Sequence, residues 1–448
     1  MDMTKLLETA TAEARAGLPD LLASIRVAGI SARGERLDES AAFHADLLQR
    51  DGWRADVVRA GDNPCVLAEI GEGPRSILVY GHHDVQPVEP LAAWESPPFE
   101  PAVRDGRLFA RGSADNKGQF FAHIFAVRAL RRVAGGVPAR VRLILDGQEE
   151  MGSPHAARLV EENRERLAAD FMYTADGPVH GSGRPVVTFG VRGVCKLRLT
   201  VRTAGSDLHS GNWGNLAPNA AMRMAQILAD MKGADGLVKV PGFYDDVMPP
   251  TPAEREALAA IPYDAAGELA SIGACAPVDG PADRPAMERL MFLPTFNVTG
   301  ISGGYTGPGF KTVIPAEVAA QIDVRLVVRQ DPRRIFALLR DWLAARAPDA
   351  TLEFLGSYQP SRTPMDAPCG AVVAEAVRQG FGQAPLLYPA LGGSSPDAAF
   401  AQGLGIPSLL VPYGNPDERN HAPNENLRLD YLEAGTRTSA ALFAGLGA

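Results

Sequence analysis

The segment ILVYGHHDVQP, residues 77–87, decides how the rest of the chain reads. An apolar run rich in Ile, Leu and Val halts at Gly81, and His82, His83 and Asp84 follow at once. Such a run is a buried strand, and polar groups set just past its end lie at the rim of a sheet. Successive side chains of an extended segment point to opposite faces, so His82 and Asp84 share a side and His83 points away. His82 is thereby placed to bind a metal with Asp84 orienting its imidazole, while His83 reads as structural. Taken alone, an HxD triplet is too common to establish that chemistry.

The same pattern recurs outward from this segment. SILVYG (76–81), RVRLILDG (140–147) and DFMYTAD (170–176) read as strands, and KGQFFAHIFAVRALRRV (117–133) and SPHAARLVEENRERLA (153–168) as helices. The alternation predicts a three-layer α/β fold, with helices on the faces of a mixed, mostly parallel sheet. From Gly190 the style changes. CKLRLTVRTA (195–204) and AAQIDVRLVV (319–328) alternate with period two, as half-exposed strands do, around a helix at NAAMRMAQILADM (219–231). After Tyr358 the first pattern returns, with a helix CGAVVAEAVRQ (369–379), a strand IPSLLVPYG (406–414) and a helix DYLEAGTRTSAALFAGL (430–446). The expected organisation is one α/β domain, formed by 1–189 and 359–448, interrupted by an inserted α+β domain at 190–358.

Bulk properties narrow the class. The 448 residues are 46% hydrophobic and 22% charged, a globular composition with length for two or three domains. The net charge of -9 is spread without a basic patch, which excludes the usual nucleic-acid footprint. Cys65, Cys195, Cys275 and Cys369 are too scattered for a disulfide framework or a thiolate metal site and fit a reducing cytoplasm. The first 25 residues have helical spacing rather than signal-peptide form, and no window approaches the roughly 20 apolar residues of a membrane span. A cytoplasmic protein with neither nucleic acid nor membrane as partner is expected.

Other polar groups end strands as His82 does. RGSADNKGQ (111–119) carries Asp115 into a helix and lacks the spacing of a phosphate loop; by itself Asp115 could equally cap the helix. LILDGQEEMGS (143–153) sets Glu149 beside Glu150, and two adjacent carboxylates are costly to bury without a cation or proton. If one ligates a metal, the other is free to take a proton from a metal-bound water. FMYTADGP (171–178) ends at Asp176, and LLVPYGNPDERNHAPNEN (409–426) presents His421 in a polar loop. Each has an ordinary surface explanation singly. Jointly, His82, Asp115, Glu150, Asp176 and His421 fall where an open α/β sheet gathers its ligand site. Five nitrogen and oxygen donors without cysteine suit a pair of divalent ions, zinc or else manganese or cobalt, bridged by one carboxylate.

Taken in order, GHHDVQP, RGSADNKGQ, GQEEMGS, YTADGP, DLHSGNWGN, KTVIPAE, DVRLV and NHAPNEN resemble the dinuclear metallopeptidases. That family includes carnosinase-type dipeptidases, aminoacylases, carboxypeptidase G, acetylornithine deacetylase and succinyl-diaminopimelate desuccinylase. The wording is most similar to the dipeptidase branch. The resemblance implies that His82 and Asp176 hold one ion and Glu150 and His421 the other, with Asp115 bridging and a cis peptide at Asp115–Asn116. It implies Glu149 as general base on the bridging water, Asp84 as the partner of His82, and the inserted domain as a lid and dimerisation module. It further implies a homodimer in which His209 reaches the other subunit's site as an oxyanion donor. Thr312 and Arg325 resemble the pair that grips the substrate's terminal carboxylate, and Ser394, in LGGSSPDAAF (391–400), adds a hydroxyl to an anion site where a helix should open at Pro396.

The expected activity is hydrolysis of an amide next to a free carboxylate in a small peptide, with an N-acyl amino acid as the alternative substrate. LGSYQPSRTP (355–364) and the SSPDAA stretch depart from the dipeptidase pattern, which leaves the side-chain preference open. A catalytically silent peptide-binding relative would have little reason to keep Glu149 beside Glu150 with all five ligands. A dinuclear phosphoesterase would need a basic clamp that the ligand loops lack.

Overall fold

Ile77 and Val79 bury on one side of a central sheet and Leu78 and Tyr80 on the other, so the strand that carries His82 is covered on both faces. Its near-continuous apolar run follows from that double burial. The chain is seen in a computed structural model that describes residues 1–275, 280, 281 and 283–447, and it divides into two units.

The first unit comprises Met1–Gly190, Arg362–Pro389 and Pro396–Ala448. Its sheet orders the strands Arg54–Ala60, Asn63–Ile70, Arg140–Asp146, Ser76–His82, Phe171–Thr174, Ser408–Leu410, Val186–Thr188 and Leu386–Tyr388. Ser76–His82 runs parallel to both its neighbours, with His82 opposite Asp146, and Phe171–Thr174 runs parallel to Ser408–Leu410. The edge hairpin Arg54–Ala60 and Asn63–Ile70 is antiparallel, as is its join to Arg140–Asp146. The sheet is mixed and mostly parallel.

Helices Met3–Ala16, Leu37–Arg50, Lys117–Ala134, Pro368–Phe381 and Leu429–Gly445 cover one face in a large apolar core. Ala156–Glu162 and Asp397–Leu404 cover the other. The stretch expected as one helix over 153–168 is two, Ala156–Glu162 and Arg164–Leu167. The break is at Asn163, whose backbone N–H makes the last ladder bond to the Leu159 carbonyl while its side-chain amide donates to the same oxygen. A short amide side chain competes in this way with the helix's own ladder.

The second unit comprises Val191–Ser361 and Ala390–Ser395. Its antiparallel sheet orders Thr295–Gly303, Glu317–Leu326, Gly193–Arg202 and Ala350–Tyr358. The inward residues Leu197, Leu199, Val318, Ala320 and Ile322 pack with helices Ala220–Met231 and Pro332–Arg346. Alternation along Gly193–Arg202 is the period-two pattern of a sheet with one solvated face. Asn219 caps its helix by accepting the N–H groups of Ala221 and Met222.

Candidate metal centre

The apolar strands of the first unit stop at the same rim, and their polar ends converge there. His82 Nε2 lies 3.0 Å from Asp115 Oδ1 and 3.8 Å from Asp176 Oδ2. The other oxygen of Asp115 lies 3.1 Å from His421 Nε2, which is also 3.1 Å from Glu150 Oε2. Two triads result, His82–Asp115–Asp176 and Asp115–Glu150–His421, each with its donor atoms within 4.8 Å of one another. Asp115 belongs to both.

Local structure fixes each donor. His82 closes its strand, and its Nδ1 lies 3.1 Å from the Asp84 carbonyl and 3.3 Å from the Asp84 carboxylate. That carboxylate also accepts the backbone N–H groups of Glu149 at 3.2 Å and Glu150 at 3.1 Å. Asp84 thus ties the histidine to the turn that carries both glutamates. His83 faces the opposite way, with Nε2 at 2.8 Å from the Pro64 carbonyl and Nδ1 at 3.1 Å from Ser40 Oγ, a structural position.

The Asp115–Asn116 peptide is cis. Asn116 accepts the His82 N–H at 3.3 Å and donates to the Ala175 carbonyl at 2.7 Å, joining three of the ligand loops. His421 sits at φ 57° in its loop, a left-handed conformation in which histidine is enriched over most side chains.

The charges of this rim are unbalanced. Asp84, Asp115, Glu149, Glu150 and Asp176 gather around two imidazoles. Burial alone would lower the His82 imidazole, but its hydrogen bonds to Asp115 and Asp84 hold it well above the usual range. Hydrogen bonds to Asp115 and Glu150 raise His421 to about 10. Burial would raise Asp115; the two histidines hold it below the ordinary carboxylate range. Asp176 is raised to about 7 by burial and by the charge of Asp115. Burial also pushes Glu149 well above the carboxylate range; Asp176, Glu150 and Asp115 add to the rise against the pull of His82.

The donor set fits divalent metal. It offers imidazole nitrogen and carboxylate oxygen, with one carboxylate presenting an oxygen to each triad. Glu150 Oε1 is buried without a hydrogen-bond partner among the described residues, as a free ligand oxygen would be. An excess of buried negative charge requires a cation or protons.

Three supporting residues escape sequence reasoning. Gln86 donates to Glu150 Oε2 at 2.9 Å and steers that carboxylate. Glu425 is fully buried, accepts the N–H groups of Gly112, Ala114 and Asp115, and pairs with Arg111 at 2.8 Å. Glu418 is buried with neither carboxylate oxygen partnered among the described residues. The first lies within GHHDVQP and the second within NHAPNEN, but their roles depend on contacts far along the chain.

The remaining expected site residues lie in the second unit. His209 is exposed, and its Nε2 is 3.3 Å from Thr312 Oγ1, brought there by pairing of Leu208–His209 with Val313–Ile314. Arg325 donates to Ser394 Oγ at 2.9 Å and lies 3.0 Å from Asp323 through both Nε and a terminal nitrogen. Thr312 is therefore beside His209, and Arg325 beside Ser394. The helix after LGGSSP runs Asp397–Leu404, with Pro396 as its N-cap.

A sequence model of Peptidase family M20/M25/M40 matches residues 78–444. The human Beta-Ala-His dipeptidase is 30% identical over 428 residues, which is 90% of this chain and 83% of that protein. The Cys-Gly metallodipeptidase dug1 of Schizosaccharomyces pombe is 30% identical over 391 residues, 84% of this chain and 81% of that protein. The crystal structure of an M20 family metallo-carboxypeptidase, Sso-CP2, from Sulfolobus solfataricus superposes with a TM-score of 0.88 at 31% identity, covering 96% of this chain and 99% of that one.

Proposed function

The chain belongs to peptidase family M20/M25/M40, and from that premise we propose that its catalytic centre is the pair of triads sharing Asp115. It is a metal-dependent hydrolase of dipeptides. The observation that carries the assignment of the centre is the divided carboxylate of Asp115, one oxygen toward His82 and the other toward His421.

His82 and Asp176 would hold one divalent ion, Glu150 and His421 the second, and Asp115 both; zinc suits these donors, with manganese or cobalt as alternatives. Such ions supply Lewis acidity, which polarises the scissile carbonyl and acidifies water. Glu149 belongs to neither triad, which leaves its carboxylate to take a proton from the attacking water and hand it to the leaving amine. Asp84 fixes the glutamate turn through two N–H groups and so aims Glu149 without touching substrate.

In the second unit, we read the guanidinium of Arg325, held by Asp323 and Ser394, as a grip on the substrate's terminal carboxylate, with Thr312, which lies beside His209, as the other member of that grip. We read the inserted segment expected at 190–358, which falls in the unit Val191–Ser361 with Ala390–Ser395, as a lid and dimerisation domain, and the chain as a cytoplasmic homodimer with His209 donating to the oxyanion of its partner's site. Leu216, Ile301 and Phe310 support a covered surface, since each is large, apolar and well exposed in the single chain.

The decisive experiment measures metal content alongside hydrolysis of unblocked dipeptides, N-acetyl amino acids and N-succinyl amino acids. About two ions per chain with turnover confined to dipeptides is expected. Turnover of the acylated amino acids alone would move the assignment to a deacylase.

A further inference from the structure

Arg192 stands at the start of the second unit with its side chain buried, 8% exposed. Its Nε donates to the Gly392 carbonyl at 2.7 Å, and Nη1 has no hydrogen-bond partner among the described residues. This guanidinium lines a cavity of about 530 Å³ within that unit, together with Lys232, Arg289, Arg325, Asp323 and Asn297. The volume is that of a small-molecule site.

The charge of this wall is one-sided. Among the described residues the guanidinium groups of Arg192, Arg289 and Arg325 line it with one carboxylate, Asp323, which is already committed to Arg325. Arg289 adds a buried Nε that also lacks a partner among the described residues. Burial and the nearby charge of Arg325 push the Arg192 guanidinium down to about 10. A buried guanidinium N–H left without an acceptor is destabilising, and an anion entering the cavity relieves that cost.

We propose that this cavity is a second anion subsite beside the Arg325–Ser394 carboxylate grip, and that it selects substrates whose carboxyl-terminal residue is Asp or Glu. Guanidinium groups present paired N–H donors that match a planar carboxylate, which favours a second carboxylate over a neutral amide of the same shape. A lysine side chain would meet like charge there. The inference rests on reading Arg325 and Ser394 as substrate-binding residues.

The test compares kcat/KM for Ala-Glu, Ala-Gln and Ala-Lys in the metal-loaded protein, in Arg289→Gln and in Arg289→Lys. The expected ratio of Ala-Glu to Ala-Gln is about tenfold or more in the parent protein, from a charge-assisted contact. It should fall to within about threefold of unity in Arg289→Gln and largely return in Arg289→Lys. A ratio near one in the parent protein, or one unmoved by Arg289→Gln, overturns the subsite while leaving the dipeptidase intact. Calorimetric binding of L-glutamate against L-glutamine separates the two readings if no dipeptide is turned over. Tighter glutamate binding that Arg289→Gln abolishes then upholds the subsite on its own, and equal binding of both amino acids defeats it.

Discussion

Glu425 accepts the backbone N–H of Asp115 at 3.0 Å, across 310 residues of chain. The same oxygen accepts the Ala114 N–H at 2.9 Å, and its fellow accepts the Gly112 N–H at 3.0 Å and the Arg111 guanidinium at 2.8 Å. A single buried carboxylate therefore sets the backbone from which the shared Asp115 projects. The loop bearing His421 and the loop bearing Asp115 are thereby fixed to each other.

Glu425→Gln keeps the shape but turns one oxygen into a donor facing two other donors. Breaking a buried ion pair of this kind costs about 3–5 kcal/mol. Denaturant unfolding of the metal-free protein should register that loss. Metal affinity should fall about tenfold to a hundredfold, because outer partners orient the ligands. Unchanged stability together with unchanged affinity would show that Asp115 is held by other means.

The two adjacent glutamates should part company on substitution. Glu149→Gln should retain metal and lose turnover by about a hundredfold to ten-thousandfold, the range of a positioned proton-transfer group. Glu150→Gln should lose metal from its triad, because Oε2 is the atom that meets His421. Metal analysis of both purified variants, run beside the hydrolysis assay, checks this. Full turnover in Glu149→Gln with metal retained would remove it from the mechanism.

What the chain discloses before folding follows from where the physics is local. The runs ending at Gly81, Asp146 and Asp176 are legible because burial on both faces demands continuous apolar sequence. The polar groups past those ends, His82, Glu150 and Asp176, then stand out, whereas Asp115 and His421 lie in loops and join the proposed ligands only by occurring with the others. Glu425 and Gln86 lack such a signal: each is a polar residue in a polar loop, and its partners lie 310 and 64 residues away. Short strands such as Val186–Thr188 and Leu386–Tyr388 offer too few residues for a period to show. Arg192 is hidden for another reason. An arginine before a strand ordinarily meets solvent, and the acceptor that holds this one, the Gly392 carbonyl, lies 200 residues away.

Metal binding should release protons. Both histidines of the proposed ligand set are raised above the unfolded value near 6.5, with His421 at about 10, and Asp176 is raised to about 7. A raised imidazole stabilises the metal-free fold fully below about pH 6.5 and ceases to do so as pH climbs through its folded value. The raised Asp176 acts in the same direction, its contribution lost as pH passes about 7. The melting temperature of the metal-free protein should therefore drop between about pH 6.5 and 10, while the metal-loaded protein, whose ligands are already deprotonated, should change less. Calorimetry at pH 7 in buffers of different ionisation enthalpy should count about two protons released on loading. A count of zero would mean the imidazoles are neutral before metal arrives.

His209 offers the sharpest test of a site completed by a second subunit. His209→Ala should cut kcat by about a hundredfold to a thousandfold, the effect of removing one oxyanion donor. Mixing that variant with Glu149→Gln under conditions that exchange subunits then discriminates between arrangements. If the histidine acts in trans, each mixed dimer contains one site with an intact Glu149 and an intact His209. Half of the dimers are mixed, so about a quarter of parental activity should return. If the histidine serves its own chain, every site in the mixture lacks one group and activity stays at the level of the separate variants. Thr312→Val helps assign the effect, because Thr312 Oγ1 is 3.3 Å from His209 Nε2 and its loss should lower kcat at the same site that the histidine serves.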